Sequence, residues 1–382
     1  MHVAEPKSAA ATGDSSIYDR IGVGRIINAR GATTAVGGTL SDPRVMAAMA
    51  EAATHFVVLE ELNAKVGERI ADITGAEAGY VTCGSCAAML LAAAACIAGT
   101  DPVRIRRLPD STGMKNEIII HRAHRIDYDQ MYRAAGGTLV EIGIPLVTHE
   151  WELEAAITER TAAVAFHDSP NVGTGALDFP TVVRIAHQRG IPVIVDAAST
   201  LPPVDHLRKW IRDGADLVIY SGGKGIRGPQ DSGLLAGRRD LIEAARANGS
   251  PNAAVGRGMK VSKEAMAGLW MAIELFEQTD HEAEFRRHHA EAHALMAGFS
   301  ERIDCAVQLE GNWEDWPAPI VRLKPVGEAW SPKAIHAALK DGDPPIHCNH
   351  EHGGLMFNTH CLLDGDVEEI ISRVTALLPV ST

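Results

Sequence analysis

From about residue 62 onward, apolar residues follow two alternating rhythms. Stretches with apolar positions three and four apart give way to short continuous apolar runs, and the two kinds recur in turn. The first rhythm is the buried stripe of a helix and the second is a strand covered on both faces, so their alternation predicts a mostly parallel sheet flanked by helices. Asn63–Thr74 predicts a helix stopped at Gly75, Ala78–Thr82 a strand, Ser85–Ala98 a helix, and Glu117–Ile120 a β-branched strand. Leu139–Ile142 and Ala162–Phe166 continue the strands. Asp178–Arg189 reads as a helix, with Pro180 in its first turn and Gly190 just past its end. The runs Ile191–Val195, ending at Asp196, and Leu217–Tyr220, ending at Ser221, have the character of buried central strands. Beyond Gly258 the alternation yields to long helices, Ser262–Glu277 and His281–Glu301, and then to a mixture of strands and helices.

A chain of 382 residues exceeds the usual size of a single core, which predicts a large domain and a smaller one. The expected division is a flexible start over residues 1–20, an N-terminal segment over 21–60 that serves the substrate site and the smaller domain, a large cofactor-binding domain over 61–257, and a small C-terminal domain over 258–382.

Composition narrows the partners. The formal charge of −13 opposes the counterion release that drives nucleic-acid binding, so no nucleic-acid partner is expected. The run Ala87–Ala98 is too short to span a bilayer, and the first fifteen residues lack the continuous apolar core of a signal peptide, so no membrane partner is expected either. Six scattered cysteines do not resemble a disulfide scaffold and fit reduced thiols in a cytoplasm.

The candidate chemistry gathers where strands end. Open parallel sheets collect ligands at the carboxyl ends of their strands. Lys224 lies in the loop Ser221-Gly222-Gly223-Lys224-Gly225, directly after a buried strand. A lysine amine condenses with a carbonyl cofactor once its surroundings lower its pKa, and Ser221 can offer a hydroxyl to a phosphate from the same loop. Read alone, this is also the pattern of a solvated loop lysine. Asp196, followed by Ala197-Ala198-Ser199, can pair with a protonated pyridine nitrogen or simply cap the next segment. Thr82-Cys83-Gly84-Ser85-Cys86 turns a strand into a helix, presenting free N–H groups and a positive dipole end to a phosphate. His124 carries a flat ring that can stack on the pyridine.

In this chain order, phosphate turn, stacking residue, aspartate and lysine resemble the fold-type I pyridoxal-phosphate (PLP) enzymes, the aminotransferase class V-like group in particular. Val195-Asp196-Ala197-Ala198, Ser221-Gly222-Gly223-Lys224-Gly225-Ile226-Arg227-Gly228-Pro229-Gln230 and Gly256-Arg257-Gly258-Met259-Lys260 resemble the family of selenocysteine synthase-like and D-glucosaminate-6-phosphate ammonia-lyase-like enzymes. The resemblance implies pyridoxal 5'-phosphate as cofactor, Lys224 as its Schiff-base residue and Asp196 as the pyridinium partner. It further implies a cofactor pocket of Gly84, Ser85, Cys86, His124, Ser199, Ser221 and Gly256.

On the substrate side it points to Asn28, Thr33 and Thr34, with Arg227, Arg257 and Arg322 as binders of an anionic group. The cluster Ile346-His347-Cys348-Asn349-His350-Glu351-His352 matches no common structural zinc spacing, so no metal is expected, and His347 is assigned to the substrate pocket. The implied activity is a lyase that eliminates ammonia from a β-hydroxy amino acid to leave a 2-keto acid, in a homodimer or larger closed assembly. Aldol-type cleavage, racemisation and β-replacement would use the same Lys224 and Asp196.

Overall fold

The structure is a computed structural model, and it describes residues 16–169, 172–300, 304–310 and 318–378. Most of the first twenty residues thus lie outside the described part, and so does the expectation made for them. The chain divides into two compact units. The larger is Ala32–Glu282; the smaller gathers the described residues within Met1–Gly31, Ala283–Asn312 and Ala318–Thr382.

The larger unit is built on a seven-stranded sheet. Across it run Ala78–Thr82, Gly233–Gly237, Leu217–Ser221, Val193–Asp196, Thr161–His167, Glu117–His121 and Thr138–Ile142. All neighbouring pairs are parallel except those made by Gly233–Gly237, which is antiparallel to both its neighbours. Its sequence, Gly-Leu-Leu-Ala-Gly, has no β-branched residue, and the sequence pattern does not reveal it.

Successive side chains of a strand point to opposite faces, and here both faces are apolar. Ile119, Val164, Val193, Val195, Val218 and Leu234 enter one core cluster. Their neighbours Ile118, Ala163, Ile194, Leu217, Ile219 and Leu235 enter a second. The helix Gly84–Ala98 is apolar almost all round because it is buried almost all round within that second layer. On the other face, the helix Leu59–Thr74 approaches the strand Ala78–Thr82 so closely that a Cβ on Gly67 would stand 2.3 Å from Gly79 O. Only glycine permits that contact.

The helix Lys263–Gln278 puts Met266, Leu269, Ile273 and Phe276 into the core of the larger unit. The division between units therefore falls after Glu282 instead of near residue 258, and the helix Pro43–Ala53 also groups with the larger unit. The buried apolar stripe of Lys263–Gln278 is what ties that helix to the larger core.

The smaller unit holds a four-stranded antiparallel sheet, ordered Asn349–Glu351, Gly354–Asn358, Ile320–Pro325 and Cys305–Glu310. A separate parallel pair joins Ile27–Asn28 to Ile346–His347. Phe299, Val321, Leu323, Leu339, Phe357 and Ile370 form its core. Cys83, Cys86, Cys96 and Cys348 form no disulfide. No helix among the described residues is long and apolar enough to cross a membrane.

Candidate active site

Strand ends carry the chemistry. Leu217–Ser221 delivers the chain into the loop that holds Lys224, and the backbone there is tight: a Cβ on Gly223 would meet Gln230 Cα at 2.4 Å. The loop is fastened from outside by the N-terminal segment. Thr39 donates its hydroxyl to Lys224 O at 3.1 Å and its N–H to Gly223 O at 3.3 Å. Gln230 Nε2 donates to Thr34 O at 3.1 Å. Burial pushes the Lys224 amine below its usual pKa, while the charges of Asp196 and Cys86 pull it partly back. A larger share of that amine is therefore neutral, and nucleophilic, than in a solvated lysine.

Asp196 ends its strand, buried. Its Oδ1 accepts the N–H of Ala198 at 3.1 Å, and His167 Nδ1 stands 3.0 Å from its Oδ2. The His167 contact is close but lacks the alignment of a hydrogen bond. Burial pushes the Cys86 thiol up, Asp196 pushes it further, and Lys224 pulls it back, which makes Cys86, Asp196 and Lys224 mutual neighbours.

His124 is buried beside them. Its ring stands edge-on to Phe166, with centroids 4.5 Å apart, and its Nδ1 accepts the N–H of His167 at 3.3 Å. Burial, with His121 and His167 nearby, pushes its pKa down to about 3, so it is neutral and carries its proton on Nε2. His121 is fully enclosed, neither ring nitrogen has a partner, and burial pushes it down to about 4.

The helix Gly84–Ala98 begins with no side chain capping it, and Gly84 adopts a left-handed φ of 76°. The N–H groups of its first turn, at Gly84, Ser85 and Cys86, have no intrahelical acceptor. Ser221 and Ser199 are half-buried, one at the end of its strand and the other in the turn after Asp196.

Other expected residues lie elsewhere. Gly256 packs on the side of the same helix, where a Cβ would meet Leu91 Cδ2 at 2.7 Å. Leu91 is about two turns along the helix from its N-terminus, so Gly256 is remote from the phosphate turn. Arg227 and Arg257 are exposed, and Arg227 Nε donates to Leu40 O at 3.3 Å. Thr33 Oγ1 is buried without a hydrogen-bond partner, while Thr34 is exposed. Asn28, Arg322 and His347 belong to the smaller unit. Asn28 closes its own turn, accepting from Arg30 N at 3.0 Å and donating to Gly31 O at 3.2 Å. Arg322 directs its guanidinium fork at Glu310 on the adjacent strand, with Nη2 to Oε2 at 2.7 Å, so it is already engaged. Among the described residues no three His, Cys, Asp or Glu side chains come together to hold a metal ion.

His167 was missed by sequence reasoning. It is the last residue of the strand Thr161–His167, at the same sheet edge as Asp196, and a strand end there was a usable signal.

The residues present fit PLP. A half-buried amine of lowered pKa suits the aldehyde, a buried carboxylate suits a protonated ring nitrogen, and an uncapped helix start suits a phosphate.

The family described as "SelA: L-seryl-tRNA selenium transferase" matches residues 26–288. A D-glucosaminate-6-phosphate ammonia lyase of Salmonella typhimurium is 34% identical over 369 residues, covering 94% of this chain and 97% of the relative. A 5'-C-glycyluridine monooxygenase-decarboxylase of a Streptomyces species is 37% identical over 391 residues, covering 98% and 95%. A solved D-glucosaminate-6-phosphate ammonia-lyase structure superposes with a TM-score of 0.82 at 31% identity, covering 94% of this chain and 97% of that one. A cysteine desulfurase of Thermococcus onnurineus, at a TM-score of 0.58 and 17% identity over 92% and 94%, shares the fold.

Proposed function

Because the chain belongs to the L-seryl-tRNA selenium transferase (SelA) family of PLP-dependent fold-type I enzymes, we propose that it is a lyase converting a β-hydroxy amino acid to a 2-keto acid and ammonia. The observation that carries this reading is the grouping of the half-buried Lys224 amine with Asp196 and Cys86 beside an uncapped helix start. The relation to an ammonia-lyase over nearly the whole chain supports the choice of elimination.

Bound PLP supplies an electron sink for the charge left when a bond at the substrate α-carbon breaks. Lys224 would hold the cofactor through Nζ, and the same Nζ, once released, would be the base for the substrate α-proton. Asp196 keeps the proton on the ring nitrogen, and His167 keeps Asp196 facing it. The N–H groups of Gly84, Ser85 and Cys86 hold the phosphate, with the hydroxyl of Ser221. His124, neutral and pinned by Phe166 and the His167 N–H, offers a fixed ring face and an Nε2–H instead of a charge. Water balances the reaction: the β-hydroxyl leaves with a proton, and one water returns when the amine is released as ammonia.

The test is a screen of β-hydroxy amino acids, of both configurations and with and without a second anionic group, for equal release of 2-keto acid and ammonia. Release of an aldehyde with glycine or alanine, and no ammonia, would replace elimination by aldol cleavage. The Streptomyces relative supports a second reading, since its name couples monooxygenation to decarboxylation. Oxygen uptake with carbon dioxide release on a glycyl-type substrate would select it. A homodimer or larger closed assembly is part of the proposal, and sedimentation of an active monomer would remove it.

A further inference from the structure

In the smaller unit, the helix Pro332–Lys340 and the strand Ile346–His347 bring basic side chains together without a counter-charge. His336 and Lys340 are four residues apart and share one face of the helix. His347 pairs in register with Asn28, two residues before Arg30, and alternates with the buried Ile346 and Cys348, so it stands on the polar side. His336 Nε2 lies 3.2 Å from Cys348 O, and its ring centroid lies 5.8 Å from that of His350. Arg30 Nε donates to Asn349 Oδ1 at 3.0 Å, which fixes the guanidinium on the same segment.

The groups acting on the two half-buried imidazoles agree with this placement. After burial, His347 is held down by Lys340, Arg30 and His336, and His336 by Lys340, His350 and Arg30. No carboxylate enters either set, and among the described residues neither Arg30 nor Lys340 is paired with one. Elsewhere Arg44, Arg125, Arg287 and Arg373 each have an acidic partner. Two fixed cations, Arg30 and Lys340, with no carboxylate among the groups around them make a local positive potential that favours a bound anion.

We propose that Arg30, His336, Lys340 and His347 form a binding site for a small oxyanion of the phosphate or carboxylate class. Arg30 contributes a planar fork, Lys340 a mobile point charge and His347 an N–H donor, while His336, whose Nε2–H already meets Cys348 O, adds a second donor at Nδ1 only when protonated. Free phosphate and a small free carboxylate share that chemistry.

The test is titration of the PLP-loaded protein with inorganic phosphate at constant ionic strength, followed by calorimetry and by the histidine ring signals in NMR. Using the loaded protein keeps the phosphate turn at Gly84–Cys86 occupied. Lys340→Gln changes an exposed side chain, and it should weaken phosphate binding about tenfold, the scale of one lost charge-assisted contact. His336→Gln should weaken it further, whereas Lys340→Arg should preserve it. Phosphate affinity equal in the wild-type and both glutamine variants would overturn the site. Titration with acetate in place of phosphate separates the two ligands: acetate that competes with phosphate extends the site to carboxylates, and acetate that does not compete restricts it to phosphate.

Discussion

Removing the imidazole of His167 is the sharpest probe of how Asp196 is held. The ring nitrogen stands 3.0 Å from Asp196 Oδ2, and both side chains are largely shielded from water. A contact of this kind to a charged group is worth about 1.5–3 kcal/mol when well aligned. Here it lacks hydrogen-bond alignment, so the lower end applies. About 1.5 kcal/mol corresponds to about a tenfold loss. His167→Ala should therefore lower kcat about tenfold and weaken PLP binding by a similar factor, with KM for the amino acid little changed. The last point follows because His167 acts through Asp196 and does not touch the substrate. Cofactor affinity is read by absorbance titration of apo-protein, and turnover by keto-acid release. His167→Asn, which can restore a donor, should recover part of the loss. If His167→Ala binds PLP and turns over within twofold of wild-type, His167 does not position Asp196.

The remaining predictions follow from charge, burial and pairing. Because burial lowers the Lys224 pKa below 10.5 while Asp196 raises it, PLP loading should rise with pH to a midpoint below 10.5, and Asp196→Asn should move that midpoint lower still. An upward move would show that the carboxylate does not act on the amine. His121 is buried neutral and titrates near 4; as pH falls from the ordinary histidine range toward 4, the unfolded chain takes up a proton that the native state refuses. His121 should contribute about 3 kcal/mol to the loss of native stability over that interval, alongside His124, which is pushed down in the same range, and His121→Leu should make this part of the urea-unfolding profile against pH less steep. An equally steep profile in the variant would assign the acid sensitivity elsewhere. Arg322→Ala breaks the fork with Glu310, so it should lower the melting temperature without raising KM; a raised KM with unchanged melting would return Arg322 to substrate binding.

Much of the fold was legible because apolar periodicity reports burial directly. Runs such as Ile191–Val195 and Leu217–Tyr220 could be read as central strands, and Asp196 and Lys224 then fell at one sheet edge by topology alone. What stayed hidden depends on partners, which periodicity does not see. Gly233–Gly237 lacks β-branched residues and runs against its neighbours. Nothing in the string around Arg322 shows that a strand twelve residues earlier presents Glu310 to it. Gly256 carries a motif-like sequence, but its lack of a side chain serves close packing on Leu91. His167 was missed by one residue, because the apolar run stops at Phe166 while the strand continues. The division after Glu282 was hidden for a similar reason: the helix Lys263–Gln278 looks like the start of a new domain until its apolar stripe is seen in the larger core.

The central claim is that Lys224 holds PLP covalently, and reduction with borohydride followed by peptide mass analysis tests it most directly. Wild-type protein should absorb near the visible edge and lose that band on reduction. The cofactor mass should then be found on the peptide that contains Lys224. Lys224→Ala should fold and show neither the band nor the adduct. A reducible band that survives in Lys224→Ala, or an adduct mapped to another lysine, would contradict the account.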